Sequence, residues 1–206
     1  YGGAARLLLD TSEDAALLVV GSRGHGGFRR LLLGSVSHQC ATHARTPVVV
    51  IRPSSGDAPA APEVSKIVVG VDGSTASHEA LRWAHQFARG ETPVMAVGAW
   101  TNSIFGADEL QSELERQLQH ARGSFDATVN AVEAEIGSRG RFERHFVTGG
   151  PGVVLVDQCD ATTLLVVGER GHRGFTGGLL GSVATEVLHR APCPVAVIPV
   201  PHTDRE

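Results

Sequence analysis

The chain has 206 residues, 42% hydrophobic and 19% charged, a composition ordinary for a globular protein. Eighteen Lys and Arg against 22 Asp and Glu leave a formal charge of −4, and without a basic run this argues against a nucleic-acid or acidic-membrane partner. The longest apolar runs, such as Ala15–Val20, are far shorter than a spanning helix, so no membrane insertion is expected, and no signal peptide is read at the start.

In chain order, the first 52 residues predict helix, strand, helix and strand at about 4–13, 16–21, 35–43 and 47–52. Pro53–Ser65, PSSGDAPAAPEVS, reads as a linker, with three prolines and few large apolar groups. KIVVGV (66–71) is a β-branched run that predicts a buried strand ending at Asp72-Gly73. Ser74 or Thr75 caps the next segment, where Ala80, Leu81, Ala84, Phe87 and Ala88 recur at helical spacing until Gly90 stops it. PVMAVGAW (93–100) predicts a second strand, followed by a loop through Asn102 and Gly106. A long helix is expected from about Asp108 to Ser138, with Leu110, Leu114, Leu118, Ala121, Phe125, Val129 and Val132 as its apolar stripe. Phe142–Val147 predicts a third strand. Pro151 opens a helix, Thr163–Val167 is a fourth strand, Ser182–His189 a short helix and Pro194–Ile198 the last strand. Strands alternating with helices predict a doubly wound α/β fold with a parallel five-stranded sheet.

The chain repeats itself. Shifted by 147 residues, Leu17–Ile51 lies over Leu164–Ile198 with 20 of 35 pairs identical, so two copies of one unit are present. The domain reading is therefore a partial copy over 1–52, a linker over 53–65 and a complete copy over 66–200. Lys66–Val147 has no counterpart in the first copy, and the chain starts at Tyr1. The expectation is a fragment of a tandem protein of roughly 290 residues.

Both copies carry one glycine-rich segment: GSRGHGGFRRLLLGS (21–35) and GERGHRGFTGGLLGS (168–182). In the second, Gly168 ends a strand and Ser182 opens a helix. Ligands of such sheets sit at strand carboxyl ends, and unpaired N–H groups at a helix start attract anions. Glycines let backbone approach a ligand closely and take conformations closed to other residues, so a phosphate chain fits. The spacing G-x2-G-x9-G-S matches neither a Walker P-loop nor the dinucleotide fingerprint.

On IVVGVDGSTAS (67–77), GAW (98–100), LLVVGERGHRGFTGGLLGSVATEVLHRAPCPVAVIP (164–199) and LLVVGSRGHGGFRRLLLGSVS (17–37), the chain resembles the universal stress protein family, in particular its tandem, ATP-binding members. The resemblance implies an adenine nucleotide alpha hydrolase-like, Rossmann-like fold. It implies that Asp72 contacts the adenosine part of ATP and that the Ala99 backbone hydrogen-bonds adenine. Gly168, Arg170 and Gly171 would follow ribose and phosphates, while Gly181, Ser182 and Val183 bind phosphates through the helix start. Mg²⁺ would bridge the phosphates, with no protein ligand identified. Gly98 stands where the family often has His. Asp72 also suits the start of the following helix, and Arg170 and Arg23 also read as solvated loop arginines. His172 and His25 read as solvent-facing, and Trp83 and Trp100 as packing residues, Trp100 at the border of the adenine slot. The first copy lacks the counterparts of Asp72 and Ala99, so binding is expected in the second.

The resemblance implies a nucleotide-dependent regulator of stress response or growth arrest in the cytoplasm. A slow ATPase or nucleotidyl-transferring enzyme and a purely structural module remain alternatives, although the loop shows no evident general base or nucleophile. Cys40, Cys159 and Cys193 are odd in number and contain no CxxC. They predict small core or half-buried thiols in a reducing compartment rather than a disulfide framework or zinc site. The resemblance also implies that the last strands of the two copies, Pro47–Ile51 and Pro194–Ile198, pair within the chain. The exposed edge of Leu17–Val20 predicts a homodimer or larger assembly.

Overall fold

The computed structural model describes residues 3–22, 33–52, 63–101, 111–138, 140–171 and 179–200. The first copy forms α1 (Ala4–Thr11), β1 (Leu18–Gly21), α2 (Ser35–His43) and β2 (Val48–Ile51). The second forms β3 (Lys66–Gly70), α3 (Thr75–Ala88), β4 (Val94–Trp100), α4 (Gln111–Glu135), β5 (Glu143–Thr148), α5 (Pro151–Asp157), β6 (Thr163–Gly168), α6 (Ser182–Arg190) and β7 (Val195–Ile198). Element types agree with the periodicity throughout, and boundaries differ by up to three residues, the largest difference being α4, which ends at Glu135 rather than Ser138. Arg23, Gly24, His25, Asn102, Gly106, Asp108, Leu110 and His172, together with most of the linker, lie outside the described residues.

All seven strands join one sheet in the order β1-β2-β7-β6-β3-β4-β5. The second copy supplies five parallel strands of it. The copies meet at β2 and β7, which pair antiparallel: Val48 with Val197, Val49 with Ala196 and Val50 with Val195. Under the 147-residue shift this register is symmetric about Val49 and Ala196, so a local two-fold relates the copies.

Alternation along the strands divides the core into two layers. Val48, Val50, Val68, Leu165, Val167, Val195 and Val197 face one way, against residues of α1, α2, α5 and α6. Ile67, Val69, Leu164, Val166, Ala196 and Ile198 face the other, against α3 and α4. In α4 only the C-terminal half of the stripe is fully covered, through Phe125, Val129 and Val132. Leu114, Leu118 and Ala121 are half-buried. Phe87, expected on the inner face of α3, is 43% exposed and stacks on Trp83 at 5.0 Å between ring centroids. The edge strand β1 leaves Val19 56% exposed.

Candidate functional site

Strand β3 lies between β6 and β4. The chain leaves it on one side toward β4 and later returns on the other to form β6, so the carboxyl ends of β3 and β6 flank a topological switch point. Val69 pairs with Val166, and Gly70 with Val97. Continued past the strand ends, these registers set Asp72 level with Glu169 on one side and Ala99 on the other.

Asp72 sits in the turn that opens α3. Its Oδ1 accepts hydrogen bonds from the Ser74 amide at 3.0 Å and the Ser74 hydroxyl at 2.6 Å. Ser74 Oγ in turn accepts from the Ser77 amide at 3.2 Å, so Ser74 is the helix cap. Gly73 turns the chain at φ +88, a left-handed conformation that favours glycine. One carboxylate oxygen of Asp72 thus holds the turn, while Oδ2 faces Gly171: a Cβ at Gly171 would stand 2.5 Å from it.

Gly168 is as crowded, and Gly181 less so. A Cβ at Gly168 would meet the Ala76 Cβ at 2.5 Å and the Ala76 backbone at 2.9 Å. One at Gly181 would lie 3.2 Å from the Glu169 carbonyl and 3.3 Å from the Arg170 Cα. Only proximity makes these positions glycine: Gly168, Gly171 and Gly181 are not among the positive-φ glycines, which corrects the expectation of special backbone conformations there. The Gly181 amide donates to the Glu169 carbonyl at 2.8 Å, closing the segment at its base. In the first copy the Gly34 amide donates to the Ser22 carbonyl at 2.7 Å. Gly181 and Gly34 cap their helices in the same extended conformation.

Ser182 and Val183 form the first turn of α6, where backbone N–H groups have no intrahelical acceptor. No acidic residue stands in that turn, and His189 and Arg190 occupy the last one, so the positive end of the helix dipole faces the switch point without a neutralising carboxylate from its own turn. Ser182 is exposed and Val183 half-buried. Arg170 leans on its neighbour, with Nη1 3.8 Å from Glu169 Oε1, and its Nε is buried without a hydrogen-bond partner among the described residues. Glu169, 5% exposed, was not singled out in the sequence; its signal was a lone acid set between strand and glycine segment.

Ala99 pairs with Val147 of β5 in register, but its backbone polar groups point the other way. The Val97 carbonyl accepts from the Val71 amide of the β3 side at 2.9 Å, and the Trp100 carbonyl accepts from Gly149 beyond β5. Backbone direction alternates along a strand, so the Ala99 N–H and C=O face the gap left where β3 has turned away. Gly98 is explained by packing: a Cβ there would come within 2.7 Å of both the Phe146 and Phe125 rings, which pack at 5.6 Å between centroids.

The structure therefore brings Asp72, Ala99, Gly168, Arg170, Gly171, Gly181, Ser182 and Val183 to one end of the sheet. A separate cleft of about 240 Å³, lined by Arg45, Glu79, Arg82 and Trp83 among others, lies at the seam of the copies and shares none of them. Among the described residues no cluster of three His, Cys, Asp or Glu side chains could hold a metal ion, and no helix is long and apolar enough to cross a membrane.

Comparison with known proteins agrees with this architecture. The model of the universal stress protein family matches residues 2–52 and 63–199. A universal stress protein of Mycolicibacterium smegmatis is 33% identical over 94% of this chain and 65% of its own length. One from Mycobacterium tuberculosis is 35% identical over 92% of this chain and 63% of its own. The chain thus spans somewhat less than two thirds of the length of these relatives. In fold it resembles a universal stress protein from Archaeoglobus fulgidus, with a TM-score of 0.64 at 22% identity over 95% of this chain and 66% of that one. UspA of Lactobacillus plantarum has a TM-score of 0.55 at 22% identity, over 67% of this chain and 98% of its own. With both copies matched and the two-layered parallel sheet in place, the chain belongs to the universal stress protein family.

Proposed function

We propose that the second copy binds ATP at the switch point between β3 and β6 and that the protein acts as a nucleotide-dependent regulator in stress response or growth arrest. The observation that carries the proposal is the convergence of Asp72 Oδ2, the bare Cα of Gly171 and the open start of α6. A carboxylate suits ribose hydroxyls, which donate hydrogen bonds to it. A Cβ-free backbone and helix N–H groups suit phosphates. The Ala99 N–H and C=O form a donor–acceptor pair at the height where adenine would lie. Gly168 and Arg170 border the path between them, and Gly181, Ser182 and Val183 hold the phosphate end. Mg²⁺ would add charge neutralisation on the phosphates, with water completing its shell.

The test is direct. Acid extraction of the purified chain followed by chromatography is expected to release adenine nucleotide, and calorimetry on stripped protein is expected to show saturable ATP binding. Absence of both overturns the reading. Phosphate release is expected to stay below about 1 s⁻¹, the low end of ordinary turnover; faster hydrolysis would make the protein an enzyme.

A further inference from the structure

Glu133 and Glu169 are the two buried acids among the described residues, and they are served differently. Glu133 accepts from Arg144 Nη2 at 2.7 Å and from the Phe142 amide at 3.2 Å. Glu169 meets its partners at longer range and with one oxygen: its Oε1 lies 3.5 Å from the Val200 amide and 3.8 Å from Arg170 Nη1. A carboxylate taken out of water is costly unless closely compensated, so an acid at this position calls for a reason.

The repeat shows that the fold does not supply it. Under the 147-residue shift Glu169 falls on Ser22, which is 1% exposed. The Glu169 amide donates to the Ile198 carbonyl, and its carbonyl accepts from the Gly181 amide, both at 2.8 Å. The Ser22 amide donates to the Ile51 carbonyl, and its carbonyl accepts from the Gly34 amide, both at 2.7 Å. The backbone is held alike in both copies, and a small neutral side chain fits the corner. The neighbour that Glu169 holds explains the acid. Arg170 is half-buried, and its Nε is buried without a hydrogen-bond partner among the described residues. Its Cα stands 3.3 Å from where a Cβ on Gly181 would lie, beside the residue that caps α6.

We infer that Glu169 is a positioning residue of the nucleotide site, holding the Arg170 guanidinium beside the start of α6 for the phosphates of ATP. The inference rests on the reading that the second copy binds ATP there. At 3.8 Å the contact is an ion pair rather than a hydrogen bond, so it depends on the carboxylate charge. A free arginine loses rotamer entropy when a phosphate orders it. One already held has lost that freedom in the unbound protein, and the phosphates meet it at a smaller entropic cost. Preorganising one long side chain is worth about a fivefold change in affinity. The charge of Glu169 acts in the opposite direction, because a carboxylate near the phosphates repels them. Positioning and repulsion therefore predict opposite signs when the acid is removed. Adenosine, which has no phosphates, feels neither.

The test measures ATP and adenosine affinity by calorimetry on the stripped full chain, with a melting curve for each protein. The variants are Glu169→Ser, Glu169→Gln and Arg170→Ala, and each Glu169 change combined with Arg170→Ala. Glu169→Ser installs the residue of the first copy; Glu169→Gln keeps the volume and serves if the serine variant does not fold. The expected result is ATP binding about fivefold weaker in either Glu169 variant, unchanged adenosine binding, and no further loss where Arg170→Ala is already present. ATP binding that is unchanged or tighter without the acid, adenosine binding that weakens in parallel, or an equal loss in the Arg170→Ala background each overturns the inference. A wild-type chain that binds neither ligand refutes the nucleotide reading and this inference with it. Wild-type ATP binding that neither Glu169 variant moves refutes the positioning role alone.

Discussion

A Cβ on Gly171 would stand 2.5 Å from Asp72 Oδ2. The two residues come from opposite ends of the second copy and meet because β3 and β6 are neighbours in the sheet. Gly171→Ala must displace the carboxylate, which is exposed and able to move at little cost in stability, within about 0.5 kcal/mol. The displaced carboxylate no longer presents its oxygen to a ribose. ATP affinity is expected to fall about tenfold, or about 1.4 kcal/mol, with the thermal midpoint nearly unchanged; calorimetry and a melting curve on the same sample check both halves.

Gly168→Ala is expected to do the reverse. Its added methyl meets the Ala76 backbone carbon at 2.9 Å and oxygen at 3.0 Å, and a helix backbone cannot turn aside as a side-chain tip can. Overpacking of this kind costs about 2 kcal/mol, which for a chain of this size lowers the midpoint by about 4–8 °C. Unfolding in urea measures it.

Glu133 is 4% exposed and meets Arg144 Nη2 at 2.7 Å and the Phe142 amide at 3.2 Å. Burial pushes its carboxyl up, but the amides of Phe142 and Gly140 together with the Arg144 guanidinium outweigh burial and hold it below the ordinary glutamate range. A depressed folded value means that its stabilisation is fully present above the unfolded value near 4.3 and is lost as pH falls through the folded one. Arg144→Ala removes the cation and leaves burial opposed by the amides alone. It is expected to cost about 3 kcal/mol at pH 7 and to move the onset of acid destabilisation to higher pH, read from urea midpoints across pH 3–7.

The two sheet edges differ in character. β5 carries Glu143, Arg144 and His145, whereas β1 reads LVVG with Val19 exposed. Charges protect an edge and their absence invites pairing with another chain. Sedimentation velocity is expected to show concentration-dependent association that Val19→Lys weakens; a monomer at every concentration refutes association through β1.

Local signals were enough for the elements. The β-branched runs, Pro151, Gly90 and Ser74 placed strands, helix starts and stops within a residue or two, because those choices depend on neighbours in sequence. The repeat likewise announced two copies, and the family resemblance implied their seam at Pro47–Ile51 and Pro194–Ile198, which the structure narrows to Val48–Val50 and Val195–Val197. The strand before the glycine segment and the helix after it were legible from their neighbours, but the reason for its glycines was not. They are small because Ala76, Asp72 and the Glu169 carbonyl press on them, and such contacts arise only when distant segments pack.

From its sequence alone the protein reads as a repeated α/β chain with a parallel sheet and one glycine-rich segment in each copy, since periodicity and turn chemistry act over a few residues. Tertiary structure alone decided that Gly98 makes room for Phe125 and Phe146, that Ala99 turns its backbone toward the gap beside β3, and that Glu169 is buried just past the end of β6. Each depends on strand order and register, which bring together residues far apart in the chain.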